Sequence, residues 1–131
     1  MKTQSTSGSI GVIVNNKLGR MMSLYMFKAS YTSASIKAMV ENPTDRSGMI
    51  AKACETFGGK MLHFLMAFGE DDAIMICELP DDVAAAAISA QVAASAGCSR
   101  INTIQLLSIE DWVKACTMAR DVSSGYKAPT K

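Results

Sequence analysis

The stretch FGEDDAIMICELPDD, residues 68–82, gathers six of the chain's 12 acidic residues (Glu70, Asp71, Asp72, Glu78, Asp81 and Asp82) around one short apolar run. One reading makes it a paired-carboxylate acid/base site, in which crowding or burial splits two pKa values. The other makes it the frame of a strand. Gly and Asp in GEDD are ordinary turn chemistry between two strands. AIMICEL alternates with period two. In PDD, Asp81 or Asp82 caps a helix, and the second carboxylate sits well at the positive end of the helix dipole. Both acidic ends then have a structural role, nothing nearby supplies a partner base or an oxyanion donor, and the strand reading is adopted.

The rest of the fold follows outward from that strand. Before the turn, KMLHFLMAF is a second strand, so the two form a hairpin. After PDD comes the helix VAAAAISAQVAASA, ended by Gly97, and then a further strand, RINTIQLLS. Ser108-Ile109-Glu110-Asp111 resembles a capping box for a last helix around Trp112, which is expected to anchor that helix to the core. Upstream, SLYMFKASY is the first strand and SASIKAMVEN a short helix. Asn42 is expected to cap, and Pro43 to open, the next helix, which ends at Gly58-Gly59. The order is βαββαβ with a terminal helix: an α+β, ferredoxin-like fold with a four-stranded antiparallel sheet and helices on one face.

At 131 residues the chain suits one domain. Residues 1–21 are rich in Ser, Thr, Asn and Gly. They can be read as a flexible arm, as an added strand over residues 10–14, or as an extension ahead of a start at Met22. The arm is preferred, which makes 22–129 the folded domain. A formal charge of +1 with scattered Lys and Arg offers no field for nucleic acid or an anionic membrane. The apolar run near the N-terminus is too short for a secretory signal, and no segment is long enough to span a bilayer. The 4 cysteines include no CxxC pair, and the single histidine, His63, has no Cys at ligand spacing, so no metal site is expected. Reduced thiols inside regular elements suit a cytoplasmic protein. No Gly-rich phosphate loop is present, and no cofactor is expected.

Strand alternation points to a site. Tyr25, Phe27, Ala29 and Tyr31, with Leu62, Phe64, Met66 and Phe68, Ala73, Met75, Cys77 and Leu79, and Ile104 and Leu106, are assigned to the helix-covered face. The opposite set mixes Leu24, Met26, Met61, Leu65, Ile74, Ile76 and Ile101 with Lys28, His63, Glu78, Thr103 and Gln105. A sheet face open to water should be mostly polar, and this one is not. Its expected cover is a second copy of the sheet, giving a homodimer or higher oligomer with a cavity between faces. Lys28, His63, Glu78 and Gln105 are then the candidate ligand-binding cluster, with His63 the candidate catalytic base. The bland alternative for His63 is a satisfied interface residue. Tyr31 and Tyr126 are further hydroxyl candidates. Cys77 is weighed as a nucleophile, but strand burial would raise its pKa.

The residues YMFKASYT at 25–32, NPTDR at 42–46, FGGK at 57–60, AFGEDDAIMICELPDD at 67–82 and SGYKAP at 124–129 resemble, in that order, the GYD domain family. The family's turn is Gly-x-Tyr-Asp. This chain keeps Gly69 and Asp72 and carries Asp71 where the Tyr is expected. The resemblance implies a ferredoxin-like domain akin to the dimeric α+β barrel proteins, and brings no known activity. Three functions remain open: a binding module for a small, partly apolar molecule; a cofactor-independent oxygenase or isomerase, with His63 as base and Lys28 or Gln105 steadying negative charge; and a structural oligomer without a ligand.

Overall fold

The computed structural model describes residues 22–130. The expected arm over 1–21 lies outside them. Along the chain run β1 (Ser23–Tyr31), α1 (Ser33–Glu41), α2 (Ser47–Thr56), β2 (Lys60–Met66), β3 (Ala73–Leu79), α3 (Asp82–Ala94), β4 (Cys98–Leu106) and α4 (Ile109–Asp121). The strands form one antiparallel sheet in the order β2-β3-β1-β4, the ferredoxin-like arrangement, with α1 to α3 over one face.

The acidic stretch frames β3. That strand lies inside the sheet, and its burial alternates without a break from Ala73 to Leu79. Asp81 caps α3 by accepting from the Ala84 N–H at 2.9 Å. At the other end the turn is stapled to neighbouring strands. The Asp72 carboxylate accepts from the Tyr31 N–H at 2.8 Å, and the Asp72 N–H donates to the Ala29 carbonyl at 2.9 Å. Asp71 accepts from the Arg100 guanidinium at 2.9 Å and lies 3.8 Å from the Lys28 ammonium. The Arg100 bond, with the two positive charges, holds the Asp71 carboxyl below the usual carboxylate range. Asp71 thus tethers the turn to β1 and β4 by charge.

The core lies between the sheet and the helices and is built from Tyr25, Phe27, Met75, Cys77 and Leu79 below and Cys54, Ala85 and Ile88 above. The Tyr25 hydroxyl donates to Asp82 at 2.5 Å, tying β1 to the first turn of α3.

Four local expectations are corrected. First, α2 begins at Ser47, with Arg46 at its N-cap, while Asn42 ends α1 and Pro43 lies in the connection. Asp45 accepts from the Ser47 N–H at 2.8 Å, so the side-chain acceptor at the start of this helix lies three residues later than expected. Second, a bulge at Leu62 shifts the β2 register. Met61 pairs with Cys77 and packs on the core, while His63 pairs with Ile76 on the open face.

Third, the faces of β4 are inverted. Ile104 pairs with Met26 and Leu106 with Leu24, so both lie on the open face. Ile101, Thr103 and Gln105 pair with Ala29, Phe27 and Tyr25 on the helix-covered face. Thr103 finds a partner there in the Ser89 hydroxyl of α3, at 2.5 Å. Both faces of β4 carry Ile or Leu, so alternation alone does not choose between them, and pairing to β1 does. Fourth, α4 buries none of its residues, and Trp112 stays 57% exposed. The helix leaves from the end of an edge strand and does not return to the core, so Trp112 anchors it to nothing among the described residues.

Candidate functional site

The four residues singled out from the sequence divide between the two sheet faces. Lys28, His63 and Glu78 lie on the open face, and Gln105 lies with Tyr25 on the covered one. Cross-strand rows place the first three. Leu65, Ile74, Lys28 and Asn102 form one row, His63, Ile76, Met26 and Ile104 the next, and Lys60, Glu78, Leu24 and Leu106 a third. Lys28 faces Ile74, four positions along β3 from Glu78, a separation of about 13 Å. His63 is diagonal to Glu78, with Ile74 and Ile76 between it and Lys28. Among the described residues no hydrogen bond or ion pair joins any two of the four, and Lys28 is engaged with Asp71. The open face is therefore an apolar band of Leu24, Met26, Ile74, Ile76, Ile104 and Leu106, with charged groups at its borders.

A cavity of about 570 Å³ lies on the other side of the sheet, beneath the helices. That volume falls within the range of roughly 300–1,000 Å³ usual for small-molecule sites. Its origin is local. Ala29 and Ala73 sit side by side on the covered face, so the floor is low where β1 ends and β3 begins. Ala38 of α1 and Ala53 of α2 line the space from above with equally short side chains. Phe27, Phe64 and Met75 complete the floor, and Met39, Ile50 and Ile88 the roof.

The mouth is polar, with Tyr31 and Cys98 from the strands, Asn42 and Arg46 from the α1–α2 connection, and Gln91 from α3. Burial raises the Tyr31 hydroxyl above its ordinary value, with a smaller contribution from Cys98 and partial opposition from Arg46. Burial and then the Asp72 charge raise the Cys98 thiol, again opposed by Arg46. Both groups therefore stay protonated at neutral pH, as a donor and a weak donor rather than as nucleophiles. Arg46 influences both and is, among the described residues, the only one lining the cavity with a formal charge.

Other chemistry finds little purchase. Cys77 is fully buried, and its interaction with the neighbouring Cys54 thiol, then burial, hold it far above the ordinary thiol range. Among the described residues no group of three or more His, Cys, Asp or Glu side chains is placed to hold a metal ion. No described helix is long and apolar enough to cross a membrane.

Sequence reasoning weighed Tyr31 for a hydroxyl role and passed over Arg46, Asn42, Gln91 and Cys98. Arg46 and Asn42 close and open the NPTDR segment. The direction of Arg46 depends on how the α1–α2 connection turns over the sheet, and no periodicity records that.

Comparison with known proteins bears on the fold and the family. The family profile described as the GYD domain matches residues 25–116. No curated protein matches the chain. Among solved structures, the crystal structure of MtbAldR superposes with a TM-score of 0.45 at 11% identity, over 75% of this chain and 61% of that one. The crystal structure of PH0061 superposes with a TM-score of 0.43 at 16% identity, over 74% of this chain and 60% of that one. The chain thus spans about three fifths of the length of either structure.

Proposed function

This chain belongs to the GYD domain family, and from that premise we propose that it is a self-associating protein that binds a small, partly apolar molecule. The binding unit is the domain over 22–129, with 1–21 as an appended arm. The observation that carries the reading is the cavity of about 570 Å³ between sheet and helices, apolar at its floor, mainly apolar at its roof, and with its one charged group among the described residues at the mouth. That arrangement suits a ligand with an apolar body and one polar end. Binding is favoured over catalysis because among the described residues no His, Asp or Glu lines the space, and Tyr31 and Cys98 are both held protonated. No general base therefore faces a molecule seated there.

Self-association is supported by the open face, where no described element covers the apolar band. Pairing two such faces back to back gives the arrangement of the dimeric α+β barrel proteins and leaves the helix-side cavity of each copy accessible.

Native mass spectrometry of the protein as purified, before and after denaturation, tests both parts together. The expected result is an oligomer carrying one small molecule per chain, released on unfolding. A ligand-free oligomer that also fails to take up apolar probes would leave a purely structural role. A monomer at all concentrations would remove the argument from the open face.

A further inference from the structure

We propose that the cavity beneath the helices selects an anionic amphiphile, a small monocarboxylate or a similar acid, with its charged end at Arg46 and its apolar body between Met39, Met49 and Met75. The inference rests on the reading that the cavity holds a ligand, and adds which chemical class it takes.

Three observations converge. First, Arg46 is the only charged residue among the described ones that line the cavity, so no described carboxylate within the lining neutralises it. Second, the other arginines of the described chain are committed. Arg100 donates to Asp71 at 2.9 Å and Arg120 to Asp121 at 2.7 Å, whereas the Arg46 guanidinium makes no hydrogen bond or ion pair with any described residue. A planar guanidinium facing an apolar chamber with no carboxylate of its own is suited to clasping an oxyanion with two parallel N–H donors.

Third, the neutral groups at the mouth complement an anion. The Tyr31 hydroxyl stays protonated and can donate, and the Asn42 and Gln91 side-chain amides are held by no partner among the described residues. None of these groups would repel a negative charge. Apart from the Ser35, Thr44 and Ser95 hydroxyls the rest of the lining is mainly Phe, Met, Ile, Val and Ala, which rewards a hydrocarbon or ring body by burial and offers no charged partner to a second charge. A cation would meet Arg46 at the entrance, and a dianion would have to bury one charge without a partner.

The test uses octanoate and its neutral counterpart octan-1-ol as probes, on the full chain stripped of any retained molecule by unfolding and refolding. Binding is followed by NMR of methyl-labelled methionine. Met39, Met49 and Met75 line the cavity. Met26, on the open face, serves as an internal control. Octanoate is expected to shift the three cavity methyls and to bind roughly 10- to 100-fold more tightly than octan-1-ol, the range for one charge-assisted contact. Arg46→Gln should remove that preference and leave octan-1-ol binding unchanged, which shows the variant cavity intact.

Equal affinity for the two probes at the cavity methyls, unchanged by Arg46→Gln, would overturn the charge selection while sparing the binding reading. Shifts confined to Met26 would overturn the location. Failure of both probes to bind a folded protein would overturn the inference and the ligand reading with it.

Discussion

Replacing Ile76 with lysine tests the claim that the open sheet face is covered by a second copy. Ile76 lies on an interior strand in the row His63, Ile76, Met26, Ile104, close to the middle of the apolar band. It is already half-buried by its neighbours, so covering it completes only part of its burial, about 1 kcal/mol per copy. An ammonium set among apolar side chains costs about as much again even when its stem lets the charge reach toward the rim. A two-fold interface contains the residue twice, so the dimer loses about 4 kcal/mol, close to three decades in Kd. Within one chain the side chain faces outward, so the monomer should keep its fold. Sedimentation equilibrium over a dilution series measures the shift, with Val83→Lys, at a 77% exposed helix position, as the control. Wild-type protein that stays monomeric at every concentration would refute the argument from the open face. So would an Ile76→Lys variant that assembles as tightly as the wild type.

Three further outcomes follow from the geometry. A Cβ at Gly59 would lie 2.1 Å from the Glu78 carbonyl oxygen and 2.6 Å from a Leu79 methyl. Gly59→Ala should therefore cost roughly 3 kcal/mol in urea unfolding. Gly69→Ala, with nothing within 4 Å of its Cβ, should stay within about 0.5 kcal/mol of wild type. Burial, then the bond to Asp82, pushes the Tyr25 hydroxyl up to about 12. Its contribution is full below the unfolded value near 10 and is lost as pH rises through the folded one. Wild type should thus lose stability between those limits. Tyr25→Phe, about 1 kcal/mol weaker at neutral pH because the exposed Asp82 carboxylate returns to water, should lose less in that window.

Asp71 has the opposite sign, because the Arg100 bond lowers its pKa in the folded protein. Its contribution is present above the unfolded carboxylate value near 4 and disappears as pH falls through the lower folded one. Asp71→Asn should therefore lower Tm at neutral pH, and the two melting curves should converge in acid. A gap in Tm that persists unchanged in acid would mean that the loop is held by something other than this charge pair.

Much of the fold could be read from the chain because several local signals agree. AIMICEL could only be a strand once GEDD had been read as a turn and PDD as a helix start, and the first strand, SLYMFKASY, spans Ser23–Tyr31 as its alternation implies. These signals act over a few residues: a side chain reaching its own backbone, a glycine accepting an unusual backbone angle, or period-two placement of apolar groups. Their order along the chain then limits the topology to a handful of choices.

Which side of each strand meets the helices was another matter. Period two divides residues into sets without naming the face, and on β4 both sets contain branched apolar residues. Pairing with β1 sent Ile104 and Leu106 to the open face, and one extra residue at Leu62 moved Met61 to the core. The cavity is more remote still from local signals. It exists because Ala29 and Ala73 meet across a ladder beneath Ala38 and Ala53, and because the α1–α2 connection brings Arg46 to its mouth. Local chemistry in the sequence determined the elements and their order. Their faces, the bulge and the space under the helices depend on contacts between residues far apart in the chain, and only the tertiary structure decided those.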